Sequence, residues 1–239
     1  MFPDTSVRTD EEEEMDDFSL AGESFGQVLD NIASINRWLG GNTATISALN
    51  NLRKKQSFDE LKIVDAGCGG GDMCREIAKW GRKVGQKTNI IGIDANAYAL
   101  EHAAKKSTEY QEISYEVVDI FSDKFQEIPC DVLVCTLTLH HFKDPQIVNW
   151  LTACIDNGAI VIVNDLHRSG LAYRLFQLVA YVFRLDRMNR DDGLISILRG
   201  FKRADLEKYT NSIKENIENI EYSIQWKWAF RYLWQIKKI

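Results

Sequence analysis

One stretch of the chain, Ile63-Val64-Asp65-Ala66-Gly67-Cys68-Gly69-Gly70-Gly71-Asp72, has residue types and spacing suited to holding a ligand. Glycines between a strand and a helix let a ligand approach the main chain closely. A dinucleotide loop needs glycine at its first, third and sixth positions. Counted from Gly67, the sixth position is Asp72, whose carboxylate at a helix start would oppose a pyrophosphate. No Gly-Lys-Ser/Thr follows, so the P-loop pattern is absent too. Instead Asp65 precedes the glycines and no basic residue lies among them. That set suits a ligand carrying an ammonium group and a sulfonium centre. A second carboxylate, Asp94, ends Ile90-Ile91-Gly92-Ile93-Asp94, where it can accept hydrogen bonds from both ribose hydroxyls.

A second group of residues could move a proton. His140 and His141 follow the fourth apolar stretch, and His167 follows the fifth beside Asn164, Asp165 and Arg168. Histidine titrates near neutrality and suits general-base work on a hydroxyl. His140 and His167 are the two candidates for that base. The alternative is structural: the His140-His141 pair holds a loop and His167 orients a helix start. Asp165 either orients a histidine or caps the helix. The five cysteines (Cys68, Cys74, Cys130, Cys135, Cys154) form no Cys-x-x-Cys pair. They read as reduced thiols in a reducing compartment, and no metal is expected.

The elements that must position these groups follow from apolar periodicity. Residues 1–24 are an acidic tail, expected to be mobile and solvated. Helical periodicity runs from Phe25 to about Arg53, so two helices occupy roughly 25–57. Short apolar strands then alternate with helices: Leu61–Ala66, Asn89–Asp94, Ser114–Asp119, Asp131–Thr136 and Ala159–Asp165. This alternation predicts a parallel sheet covered on both faces. After it come a helix over Leu171–Phe183, another over Ala204–Asn211, and two long strands, Ile217–Gln225 and Trp226–Lys237. Residues 25–239 form one domain, with 166–203 as an insert beside the site.

Composition narrows the partners. A net charge of −6 argues against nucleic acid, whose binding leaves a basic face. No apolar run approaches the roughly 18 residues that cross a bilayer. With no secretory signal at the start, the expected location is cytoplasmic. Oligomeric state stays open.

The chain resembles class I S-adenosylmethionine (SAM)-dependent methyltransferases over roughly residues 25–165, and within them the small-molecule group that includes quinone-biosynthesis enzymes. Val64–Gly71, Gly92–Asp94, Val118-Asp119-Ile120 and Leu139-His140-His141-Phe142 carry the resemblance. It implies an α/β, Rossmann-like doubly wound fold with a seven-stranded sheet whose last strand is antiparallel. It also implies an N-terminal helical extension and a helical lid insert after the fifth strand. Gly67, Cys68, Gly69 and Gly71 would then lie against the methionine and ribose of SAM, with Asp65 holding the amino group. Asp94 would bind the ribose with Ala95 beside the adenine. Asp119 would take the adenine amino group, Ile120 would cover the ring, and Thr136 would lie at the methionyl end. Where many relatives have Pro-Gly-Gly before the fifth strand, this chain has Ile155-Asp156-Asn157-Gly158.

Asn164–Arg168 and Asp192–Phe201 resemble a bacterial subgroup associated with aromatic polyketides. That implies O-methylation of a phenolic small molecule, releasing S-adenosylhomocysteine (SAH). Tyr173, Phe176, Tyr181 and Phe183 are candidates to line its pocket. C-methylation of a quinone precursor and a non-catalytic SAM-binding protein are the alternatives.

Overall fold

The computed structural model describes residues 3–239. Two helices, α1 (Glu23–Trp38) and α2 (Gly41–Lys55), precede the alternating core. The core runs β1 (Leu61–Ala66), α3 (Asp72–Val84), β2 (Thr88–Asp94), α4 (Ala97–Lys106), β3 (Ile113–Val117), α5 (Asp123–Gln126), β4 (Val132–Thr136), α6 (Asp144–Asp156) and β5 (Ile160–Leu166). Three helices follow, α7 (Gly170–Val182), α8 (Arg187–Arg199) and α9 (Arg203–Asn216), then β6 (Ile220–Lys227) and β7 (Arg231–Lys238). The seven strands lie in the order β3-β2-β1-β4-β5-β7-β6. The first five are parallel, and β7 runs antiparallel between β5 and β6.

The central strands are mostly apolar because helices cover both faces. On one face Ile63, Val134, Ile162 and Leu233 pack with Ile77 and Trp80 of α3 and Leu49 of α2. On the other, Val64, Leu133, Val163 and Trp234 pack with Leu151 of α6 and Tyr209 of α9. Strand order reverses between β1 and β4, and ligands of such sheets bind beyond the strand ends at that point.

Three expectations differ from the structure. Helix α8 is additional: its apolar residues form no single stripe, so periodicity does not announce it. The last two strands are shorter and later than expected, because the chain turns at Trp228-Ala229-Phe230 without proline or glycine to signal it. Finally, the N-terminal residues expected to be solvated lie against the body, with Glu13 only 4% exposed. What overrides their polarity is a set of ion pairs with α8 and the loop after β4.

Candidate active site

The glycine loop is shaped by where its main chain bonds. The N–H groups of Gly67 and Cys68 donate to the carbonyl of Ile93 at 2.9 and 3.0 Å, tying the loop to the end of β2. Gly67 has φ +68°, and a Cβ there would stand 2.2 Å from Thr138 Cγ2, so only glycine fits. Asp65, at the end of β1, is buried, which pushes its carboxyl up to about 7. Its Oδ2 accepts from the Cys74 thiol at 3.2 Å, while Oδ1 has no partner among the described residues. An unpartnered acceptor that shares a cavity wall with the loop fits the ammonium of a methionyl group.

Asp94 faces the same space. Its Oδ2 accepts from Gly69 N–H at 2.9 Å and its Oδ1 from Asn96 N–H at 2.9 Å. Burial raises its pKa, and those two N–H groups partly offset the rise. Both oxygens keep lone pairs for ribose hydroxyls. Ala95, Asp119, Ile120, Cys68 and Thr136 line the cavity beside it. Thr136 Oγ1 is buried without a partner among the described residues. Burial pushes the Cys68 thiol up to about 11, so it stays protonated and acts as a small apolar wall.

Gly71 does not line the cavity. It caps α3 in the left-handed region at φ +70°, and its missing Cβ makes room for the Tyr115 hydroxyl, which would stand 2.3 Å away. Its missing Cβ thus serves packing against Tyr115. Gly70, Asp72 and Asn36 line the cavity instead. Asp72 Oδ2 accepts from Asn42 Nδ2 at 3.2 Å and, more weakly, from Asn36 Nδ2 at 3.5 Å.

The other end of the cavity is built around His140, which is 2% exposed. Its Nδ1 lies 2.7 Å from Asp165 Oδ1, and its Nε2 has no hydrogen-bond partner among the described residues. Burial pushes the Asp165 carboxyl up, but the His140 charge, its hydrogen bond and the Leu166 N–H outweigh this and hold it below the usual carboxylate range. An ionised Asp165 makes Nδ1 the protonated nitrogen and leaves Nε2 a lone pair.

Glu13 closes this end. Its Oε1 lies 3.6 Å from His140 Nε2 and 3.5 Å from Arg199 Nη1, and its Oε2 accepts from Ser196 Oγ at 2.7 Å. Burial raises its carboxyl to about 7 against the pull of His141, Ser196 and Arg199. Asp16 bonds His141 Nδ1 at 2.6 Å and Arg199 Nη1 at 2.5 Å. Arg8 donates to the carbonyls of His140 and Phe142 and pairs with Asp144 at 2.8 Å. Nothing in the sequence near residue 13 points to these partners, which come from α8, the loop after β4 and the start of α6. Glu13, His140 and His141 offer ligand atoms within 4.8 Å of one another, enough in principle for a cation. Arg199 and Asp16 already engage two of the three, which disfavours that use.

His167 is not brought to the site. It does not line the cavity, and its ring packs on Phe230 and Tyr232 while Nδ1 accepts from Trp226 Nε1 at 3.3 Å. The isolated bridge to Phe201 turns it to the β6–β7 side, which removes it as a candidate base. Of the four aromatic candidates, Phe176 lines the cavity, and Tyr173, Tyr181 and Phe183 do not. Tyr181 is 82% exposed because α7 turns that face outward.

The cavity that joins the two ends has a volume of about 1330 Å³. This exceeds the ~300–1,000 Å³ of ordinary single-ligand pockets and leaves room for a donor and an acceptor together.

Comparison with known proteins identifies the family and the fold. A family model described as a methyltransferase domain matches residues 57–224. The chain is similar to a ubiquinone biosynthesis O-methyltransferase of Colwellia psychrerythraea, 31% identical over 53% of this chain and 50% of the relative. A protein of the same description from Histophilus somni is 29% identical over 72% of this chain and 73% of its own length. The chain therefore spans about half the length of the first of these relatives. Among solved structures, the plantazolicin methyltransferase BpumL superposes with a TM-score of 0.65 at 16% identity, covering 89% of this chain and 90% of that one. A putative SAM-dependent methyltransferase from Methanococcus maripaludis superposes with a TM-score of 0.58 at 16% identity, covering 92% and 96%. At these identities the two structures bear on the fold.

Proposed function

The chain belongs to the class I SAM-dependent methyltransferases, and from that premise we propose that it methylates a hydroxyl oxygen of a small aromatic acceptor, with His140 as general base. The observation that carries this is the His140 ring: Asp165 holds Nδ1, and Nε2 is buried at the cavity wall with no hydrogen bond among the described residues, its nearest charged neighbour being Glu13 Oε1 at 3.6 Å. SAM supplies a methyl group already activated on sulfonium, so the protein aligns the acceptor and takes its proton. The hydroxyl oxygen attacks the methyl carbon, the carbon–sulfur bond breaks with its electron pair passing to sulfur, and the proton goes to His140 Nε2. The products are a methyl ether, SAH and a protonated His140, which Asp165 stabilises.

The insert α7–α8 with residues 5–16 forms the acceptor lid in this reading. The acceptor walls from Leu166, Ala172, Leu175, Phe176, Val179 and Ile197 are apolar, which suits an aromatic body. The acceptor is a small molecule and the location a reducing cytoplasm, where the five cysteines stay free. Among the described residues no helix is long and apolar enough to cross a membrane.

The test is methyl transfer from labelled SAM to a panel of phenols, quinols and aromatic acids. Methyl ethers are expected, and single-turnover rates in His140→Gln and Asp165→Asn should fall on the order of 100-fold or more, with SAH affinity retained. Carbon-methylated products, or unchanged rates in both variants, would overturn the reading.

A further inference from the structure

Most buried polar groups in a folded protein find a partner, so those that do not point to something missing. Here they cluster. Asn36 Oδ1, Asp65 Oδ1, Thr136 Oγ1, and both Nε and Nη1 of Arg231 are buried without a partner among the described residues. All four residues line the one cavity. Arg231 opens β7 opposite Leu166 of β5. Its guanidinium and Asn36 Oδ1 both crowd Gly41, where a Cβ would stand 2.8 Å from Arg231 Cζ and 1.9 Å from Asn36 Oδ1. Asn36 in turn reaches Asp72 at the start of α3.

Arg231 is the anomaly in this group. It is 2% exposed, and burial lowers its pKa only to about 10, so it is a cation at neutral pH. The two carboxylates that bias it, Asp165 and Asp72, are otherwise engaged. Asp165 serves His140 and the Leu166 N–H, and Asp72 serves Asn36 and Asn42. A buried cation with no hydrogen-bonded anion is strongly unfavourable, and one beside a ligand cavity is completed by an anionic ligand group.

We propose that Arg231 is the counter-ion for a carboxylate of the bound ligand, on the wall of the same cavity as the acceptors Asp65 Oδ1 and Thr136 Oγ1. A buried cation and unpartnered acceptors lining one cavity, among the described residues, complement the two charges of an α-amino acid zwitterion. The favoured source of the carboxylate is therefore the methionyl end of the donor, which rests on the function proposed above. An acidic acceptor is the other source of the same chemistry. No motif marks Arg231, which lies far along the chain from the glycine loop.

Calorimetry on the intact chain separates these cases. Wild type and Arg231→Met are titrated with SAH, with decarboxylated SAM, and with 4-hydroxybenzoate added to SAH-saturated protein. The expected result is an SAH affinity lowered on the order of 10- to 100-fold in the variant, with decarboxylated SAM changed less than about twofold. Loss confined to 4-hydroxybenzoate keeps the carboxylate subsite and moves its source to the acceptor. Equal affinities of wild type and variant in every titration overturn the proposal. So does a uniform loss for all three ligands with a lowered melting temperature, which would mark Arg231 as structural. Arg231→Lys, which keeps the charge, should recover part of the SAH affinity without altering decarboxylated SAM. Failure of the wild type itself to bind SAH would instead sink the methyltransferase reading, so the two failures are distinguishable.

Discussion

The two ends of the cavity are built in different ways. The donor end comes from one local unit, β1–loop–α3, with Asp94 at the neighbouring strand end, and its shape is a matter of main-chain bonds and glycine conformation. The acceptor end is assembled from distant pieces: Glu13 and Asp16 from the N-terminal segment, His140 after β4, Asp165 on β5 and Arg199 on α8. The first is a rigid cradle in the body of the sheet. The second is a charge network across a seam that opens if the N-terminal segment lifts. Donor-side changes should therefore alter affinity, and acceptor-side changes should alter turnover and its pH dependence.

The sharpest way to break this division is Asp94→Ala. The carboxylate is the group we propose for the ribose hydroxyls, and it also holds Gly69 N–H in the loop. Losing charge-assisted bonds at a partly enclosed site should weaken SAH on the order of 100-fold by calorimetry. The Glu13–His140–Arg199 network should keep its hydrogen-exchange protection. Loss of that protection, or unchanged affinity, would mean that the two ends are not separately built.

The same contrast explains what the sequence made legible. Strand–loop–helix order, the glycine spacing and Asp94 are local, so periodicity and turn chemistry reach them. Asp65, Gly67, Gly69 and Asp94, read from their spacing, line the cavity, and so do Cys68, Ala95, Asp119, Ile120 and Thr136, which the family resemblance implied. Gly71 sits in the same motif yet serves Tyr115, a distinction that needs three-dimensional neighbours. His140 and His167 both follow strand ends and look equivalent in sequence. One lies in the short turn after β4 and meets Asp165, and the other lies just past β5, bridged to Phe201, and meets Trp226. Glu13 and Arg231 carried no signal, since each acquires its environment from segments far along the chain.

A second prediction sharpens the donor side. Burial holds the Asp65 carboxyl near about 7, with Asp72 and Asp94 adding to the rise against the Cys74 hydrogen bond. An incoming ammonium favours the ionised form, so below that value binding must expel a proton. SAM affinity should rise with pH by up to about tenfold per unit below 7 and level off above it. Asp65→Asn should flatten this slope. A slope that persists in the variant would assign it to another group.

The smallest expected effect tests the seam itself. Glu13 has a pKa of about 7 when docked and the ordinary 4.5 when the segment is free. Its protonated form is thus favoured in the docked state. That contribution is full below about pH 4.5 and is lost as pH rises through 7. His140, His141 and Arg199 surround the carboxyl and favour its charge, while Asp16 opposes it, and burial outweighs their sum. Docking of residues 5–16 should accordingly weaken by about threefold between pH 6.5 and 7.5. Hydrogen exchange of this segment, compared at each pH with Glu13→Gln so that intrinsic exchange cancels, measures the change. The variant should hold the segment down at both pH values. If wild type and variant open alike, Glu13 is not the group that titrates the seam, and the acceptor end is as rigid as the donor end.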